Sequence, residues 1–244
     1  MNNDLNNTLE PMLLVEDLQV NYGDFIAVNG ASLSVNKGDI VSVVGTNGAG
    51  KSTLFDCVAG VVKPVRGKVI FKGEDITGLP SHEIVAKGLT LVPQGSRCFV
   101  RMTVEENLFM GSYTKKARKG AKEMMQKVYE LFPVLHEKRH HLSGSLSGGQ
   151  RQMVAIGRAL MNQPEMILFD EISLGLAPTV IKDIYARIKE INKDGVTAVL
   201  IEQDVKRSLK TSDYCDVMLK GKVVLSGSSD SLGEDQIKAA YFGV

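Results

Sequence analysis

The chain has 244 residues, a formal net charge of +1, 43% hydrophobic and 23% charged residues. That is enough length for one sizeable core, with no bulk positive field of the kind that gathers nucleic acid. The longest apolar runs, such as residues 166–169 and 197–201, have strand length, far short of the roughly 20 residues that a membrane-spanning helix needs.

Residues 1–11 are Asn-rich and lack the basic and apolar regions of a signal peptide, so they read as a flexible lead. Residues 13–22 and 31–35 predict short strands, with a turn at Tyr22-Gly23. Residues 39–44 form an apolar, β-branched run ending at Gly45, the pattern of a strand buried on both faces. A glycine-rich turn follows, then a helix over 51–60 and strands over 66–71 and 89–92. Thr103 and Glu106 make a capping box that opens a helix toward Met110. A second helix is predicted over 119–132, stopped by Pro133, and a third over 150–161. The strand–helix rhythm then returns: strand 166–170, helix 178–192, strand 196–201, helix 205–211, and strands 217–219 and 222–226 around Lys220-Gly221. A strand–helix core interrupted by helices predicts an α/β protein with an inserted helical subdomain.

Cys57, Cys98 and Cys215 are odd in number and far apart, which reads as free thiols in a reducing compartment. His136 and His140 have a metal-ligand spacing, but without an HExxH arrangement they read as part of a solvated face. The basic run from Lys115 to Lys122 reads as a solvated helix entrance, with contact to anionic lipid as the alternative.

Gly45-Thr46-Asn47-Gly48-Ala49-Gly50-Lys51-Ser52 fits the phosphate-loop pattern G-x-x-x-x-G-K-[ST] at every fixed position. Glycines let the backbone curl so that successive N–H groups face phosphate oxygens, and the following helix adds its positive N-terminal end. Lys51 would reach the β- and γ-phosphates, and the Ser52 hydroxyl would ligate Mg²⁺. Four fixed positions match by accident in on the order of 1% of chains this long. The match also falls between an apolar strand and a helix, as the motif requires. Residues 166–171 are four apolar residues ending in Asp170 and Glu171. A buried strand ending this way sets Asp170 to hold Mg²⁺ and Glu171 to polarise an attacking water.

Such a loop says only that a nucleoside triphosphate binds. Leu146-Ser147-Gly148-Gly149-Gln150, just ahead of a predicted helix and upstream of Asp170, is more specific. With it the chain resembles the ABC ATPase family over residues 12–244. The resemblance implies a P-loop NTPase core with an antiparallel β subdomain and an inserted α-helical subdomain over about residues 95–162, all within one domain. It implies ATP and Mg²⁺ as ligands. The phosphate-loop set is then Gly45, Asn47, Gly48, Ala49, Gly50, Lys51, Ser52 and Thr53. Tyr22 stacks on adenine, and Gln94 joins Ser52 and Asp170 at Mg²⁺. Ser147 and Gly149 close over the γ-phosphate of a partner subunit, and the loop at Ser173 to Ala177 crosses the dimer interface. Glu171 and Gln203 are the catalytic pair. Two departures stand out. Ile172 replaces the usual Pro, a change expected to affect loop stiffness only. Gln203 replaces the switch histidine; its amide can donate a hydrogen bond but cannot become charged.

The finer resemblance, through residues 129–133, 152–160, 173–178, 202–203 and 238–243, is to ATPases of bacterial branched-chain amino-acid importers. It implies a second ABC ATPase as homo- or heterodimer partner, two membrane permeases and an extracytoplasmic solute-binding protein, with no nucleic acid. Its place is peripheral, at the cytoplasmic face of the inner membrane. Related systems carry urea, short amides or other amino acids. Residues 93–111, with apolar Phe99, Val100 and Met102, are the expected coupling surface toward the permease. The alternatives are a soluble ABC ATPase of repair or translation, and a nucleotide-binding scaffold with little turnover.

Overall fold

A computed structural model describes residues 10–242. The expected flexible lead falls outside those residues except for Glu10 and Pro11.

Three strands carry the architecture because they are buried at every position: β3 (Ile40–Gly45), β7 (Met166–Asp170) and β8 (Thr197–Glu202). A strand buried on both faces needs a layer on each side, and period-2 alternation divides its side chains between them. Val41, Val43, Met166, Leu168, Val199 and Ile201 enter one core, and Ile40, Ile167, Phe169, Ala198 and Leu200 enter another.

The first core is closed by an antiparallel sheet of order β2-β1-β4-β5. It is built from β1 (Leu13–Tyr22), β2 (Phe25–Val35), β4 (Arg66–Phe71) and β5 (Glu74–Asp75). Helix α1 (Lys51–Val58) lies inside this layer and buries Leu54, Phe55, Cys57 and Val58. Helix α2 (Ser81–Ala86) adds Ile84 and leads to β6 (Leu89–Val92).

The second core lies under five helices, α3 (Val104–Met110), α5 (Ala121–Leu131), α6 (Pro133–Glu137), α7 (Gly148–Leu160) and α8 (Pro178–Lys193), with the short α4 (Lys115–Lys119) packed beside α5. Their inward side chains include Val104, Leu108, Val128, Leu135, Ile156 and Ile188. Thr103 and Glu106 form the expected capping box. Helix α9 (Val205–Thr211), β9 (Tyr214–Leu219), β10 (Lys222–Ser228) and α10 (Glu234–Phe242) complete the chain. The central sheet has the order β10-β9-β3-β8-β7-β6. All its pairings are parallel except β10 with β9.

Three expectations change. The second strand starts at Phe25 rather than residue 31: its first residues are apolar, and pairing with β1 carries the strand through Asn29-Gly30, where Gly30 takes a positive φ. The helix predicted over 119–132 is observed as α5 (Ala121–Leu131), and a short helix not predicted, α4 (Lys115–Lys119), precedes it across Gly120. Pro133 does not merely stop it: it opens α6 at a first-turn position, where a missing N–H costs nothing.

Burial also sets the thiol chemistry. Cys57 and Cys215 are buried, and loss of solvation pushes both thiols up to about 12. Cys98 is partly exposed and raised less strongly, again chiefly by burial. The thiolate is the nucleophile, so a raised pKa leaves it scarce below that pH. Iodoacetamide at pH 8 is expected to label Cys98 first and to reach Cys57 and Cys215 only after denaturation, as read by peptide mass.

Candidate active site

Gly45 ends β3, and the loop that follows reverses into α1. Gly48 and Gly50 have φ of +79° and +97°, in the left-handed region that side chains resist. A Cβ on Gly50 would also run into the Ala27 carbonyl oxygen, whereas one on Gly48 meets nothing. Gly50 caps α1 without a side-chain acceptor, and no acidic residue stands in the first turn. The N–H groups and the positive end of the helix are therefore left for an anion. The loop is braced by the turn at Lys220-Gly221, whose contact with it no spacing in the sequence signals. Gly221 N–H donates to the Ala49 carbonyl at 2.9 Å, and Asn29 N–H donates to the Gly221 carbonyl at 2.8 Å.

Charge gathers at the carboxyl ends of β3 and β7. Lys51 is only 4% exposed; its Nζ donates to the Gly45 carbonyl at 2.8 Å and the Thr46 carbonyl at 3.0 Å. It also lies 3.6 Å from Glu171 Oε1. Burial lowers its pKa, and the Glu171 charge opposes that shift. Ser52 Oγ donates to Asp170 Oδ1 at 2.9 Å, joining residues far apart in the chain through the packing of α1 on β7. Burial raises Asp170 to about 6; the Ser52 hydrogen bond works against this and the Glu171 charge adds to it. Glu171 itself turns off the strand with φ of +43°. Gln94, two residues past β6, donates from Nε2 to Glu171 Oε2 at 3.2 Å. That contact follows from the register, in which Val92 pairs with Phe169.

Gly45, Asn47, Gly48, Ala49, Gly50, Lys51, Ser52, Thr53, Gln94, Asp170 and Glu171 thus share one end of the central sheet. Gln203 follows Glu202, which pairs with Val44, so it reaches the same end, exposed. Tyr22 is 50% exposed where β1 turns into β2. Ser147 and Gly149 stand apart. Among the described residues no hydrogen bond joins the segment from Leu146 to Gln150 to the phosphate loop. Ser147 instead caps α7 in a capping box with Gln150, and its exposed side leaves the helix start open to another molecule. A Cβ on Gly149 would meet Val180 at 2.5 Å, so glycine also lets α7 approach α8.

Ile172 corrects one expectation. Its side chain is buried in the helical-side core, so it anchors the loop by packing as well as altering its stiffness. A buried polar group beside it was not foreseen. Glu202, 2% exposed, accepts from Ser173 Oγ at 3.0 Å and from Arg207 Nη1 at 3.2 Å. No spacing rule in the sequence signals that contact. Phe99 and Val100 are exposed in a loop, as expected. A cleft of about 280 Å³ beside them is lined by Pro93, Arg97, Phe99, Met110, Tyr113 and Arg158, among others.

Residues 28–173 match the ABC transporter family. Over 233 residues, 95% of this chain and 100% of the relative, the sequence is 41% identical to a protein of Pseudomonas aeruginosa. That protein is the high-affinity branched-chain amino acid transport ATP-binding protein BraG. The chain belongs to the ABC transporter ATP-binding family. It is also 33% identical to the lipopolysaccharide export system ATP-binding protein LptB of Haemophilus influenzae, over 95% of this chain and 97% of that one. The ADP conformation of an ATP-binding cassette of an ABC transporter superposes with a TM-score of 0.82 at 33% identity, covering 96% of each chain. The protein is accordingly a nucleotide-binding ATPase with the cassette fold. Among the described residues, no helix is long and apolar enough to cross a membrane.

The loop geometry yields a paired prediction. Gly50→Ala and Gly48→Ala each carry about 1–2 kcal/mol of left-handed backbone strain. Only Gly50→Ala adds an overlap with β2. Calorimetric titration with ATP should show Gly50→Ala losing roughly tenfold or more in affinity and Gly48→Ala distinctly less.

Proposed function

We propose that this chain is the ATP-hydrolysing subunit of an importer complex for branched-chain or chemically related amino acids, peripheral at the cytoplasmic face of the membrane. The observation that carries the reading is the convergence of Lys51, Ser52, Asp170, Glu171 and Gln94 at the mouth of one phosphate loop. The likeness to BraG supports the substrate class. Residues 12–244 act as one domain, its helical subdomain spanning about 95–162.

On this reading Tyr22 stacks on adenine, and the loop from Gly45 to Thr53 wraps the phosphates with its N–H groups. Lys51 exchanges its carbonyl partners and Glu171 for the β- and γ-phosphate oxygens. The Ser52 hydroxyl, Gln94 carboxamide and Asp170 carboxylate form an oxygen set that suits Mg²⁺, a hard cation. Burial, which raises Asp170 to about 6, leaves its carboxylate poorly solvated, a cost that a bound cation would offset. When bound, Mg²⁺ neutralises charge that builds on the transferring phosphoryl group. Glu171, released from Lys51, orients and polarises water in line with the γ-phosphate. Gln203 donates from its amide to that phosphate without carrying charge.

Among the described residues the segment from Leu146 to Gln150 makes no hydrogen bond to its own phosphate loop, and its exposed helix start would serve as a lid in trans. Ser147 and Gly149 of a second ABC ATPase, the same chain or a sister, close over the nucleotide. Closure draws on binding energy to shift two permeases through the cleft beside Phe99 and Val100. Hydrolysis reopens the pair. An extracytoplasmic binding protein delivers the solute.

A second reading, export, draws only on the likeness to LptB. Affinity capture of the full chain from detergent-solubilised native membranes separates them. Recovery of two permeases, a sister ATPase and a solute-binding protein is expected for import. Recovery of soluble partners alone would overturn the transport reading.

A further inference from the structure

The loop that bears Glu171 has few tethers of its own. After β7 the backbone turns at the strained Glu171, and the next residues make only two weak turn bonds. Leu174 N–H donates to the Glu171 carbonyl at 3.2 Å, and Leu176 N–H to the Ser173 carbonyl at 3.3 Å. Besides the Glu171 carboxylate itself, Ile172 and Leu176 pack the loop onto the helical-side core, and Ser173 supplies its other polar tether to the body of the protein.

Ser173 Oγ lies 3.0 and 3.3 Å from the two carboxylate oxygens of Glu202, to which it donates. The same hydroxyl accepts from Arg207 Nη1 at 3.0 Å. Arg207 Nη1 also reaches Glu202 Oε2 at 3.2 Å, and its Nη2 reaches Asp204 Oδ2 at 3.1 Å. The guanidinium rests over the Tyr185 ring on α8, with Cζ 5.4 Å from the centroid. One planar fork therefore holds three things together: the Glu171 loop, the end of β8, and the residues that flank Gln203.

A buried carboxylate is a poor choice for stability alone. Its desolvation offsets much of the gain from pairing, and an apolar residue of similar size often serves as well. At the end of β8, Glu202 instead presents both oxygens to the loop after Glu171. Lys51 and Gln94 engage the Glu171 carboxylate from the other side.

We propose that Arg207 is a positioning residue for hydrolysis: through Ser173 and Glu202 it holds the Glu171 loop in register with the Gln203 segment. The inference rests on the reading of Glu171 as the water-orienting carboxylate. Arg207 touches no reacting atom. Its planar fork supplies two directed pairs that a lysine ammonium reproduces only in part.

The test is steady-state ATP hydrolysis by the full chain in its purified complex. Arg207→Met is expected to lower kcat about tenfold with the KM for ATP within about twofold, since small displacements of a catalytic group cost rate rather than ground-state binding. Arg207→Lys should fall between Arg207→Met and the unaltered chain. Ser173→Ala should also lower kcat, and the double variant should be little worse than Arg207→Met, because both changes cut one tether. A kcat for Arg207→Met within twofold of the unaltered chain would overturn the proposal, as would full additivity. Should Arg207→Met fail to fold, Ser173→Ala, which leaves the ion pair in place, decides alone by the same kcat criterion. A Glu171→Gln control keeps the two ideas apart. If that control turns over normally, the assignment of Glu171 fails; if it is inactive while Arg207→Met is not, only the clamp fails.

Discussion

Lys51 holds an ammonium almost wholly out of water, and much of the surrounding structure answers that fact. An unpaired charge in such a place would cost several kcal/mol or give up its proton. Two main-chain carbonyls of the phosphate loop and the Glu171 carboxylate receive it instead. Those partners exist only because β3 and β7 end at the same level of the sheet, with β8 between them setting the register. Asp170 carries the opposite strain: burial holds it well above the usual carboxylate range. The cluster is thus partly satisfied by itself and well matched to a polyanion accompanied by a cation.

The layers explain why this cluster stays put. Parallel strands deliver their carboxyl ends to one edge, where α/β proteins collect ligands. Alternating side chains tie the sheet to the antiparallel layer on one face and the helices on the other. The turn at Gly221 links the phosphate loop to β2, whose hairpin with β1 carries Tyr22. Displacing the Tyr22 hairpin would therefore strain the phosphate loop. On the helical side, Ser147 at the start of α7 is exposed and, among the described residues, makes no hydrogen bond to its own phosphate loop.

Much of this was legible in the sequence. Strands at Leu13–Tyr22, Arg66–Phe71, Leu89–Val92 and Met166–Asp170 matched their predicted bounds, because apolar runs stop there against turn residues or charge. The phosphate loop and the Asp170-Glu171 pair were readable because their chemistry demands particular residue types at fixed spacing. Illegible features depend on contacts between distant segments. Gly221 beneath Ala49 and Arg207 beside Ser173 obey no periodicity, and β2 continues through Asn29-Gly30, which read as a break in the sequence, because β1 pairs across them. Helix α10 lacks a strong apolar stripe; its buried Ile237 packs against β9 residues Cys215 and Val217.

The central claim is that Glu171 trades a resting contact with Lys51 for the work of orienting water. ATP affinity and single-turnover hydrolysis of Glu171→Gln, measured side by side, test it most directly. The account predicts ATP binding at least as tight as in the unaltered chain, since a competitor for Lys51 is weakened, and hydrolysis slowed by about 10²- to 10⁴-fold. Unchanged hydrolysis, or loss of ATP binding with the fold intact, would contradict it.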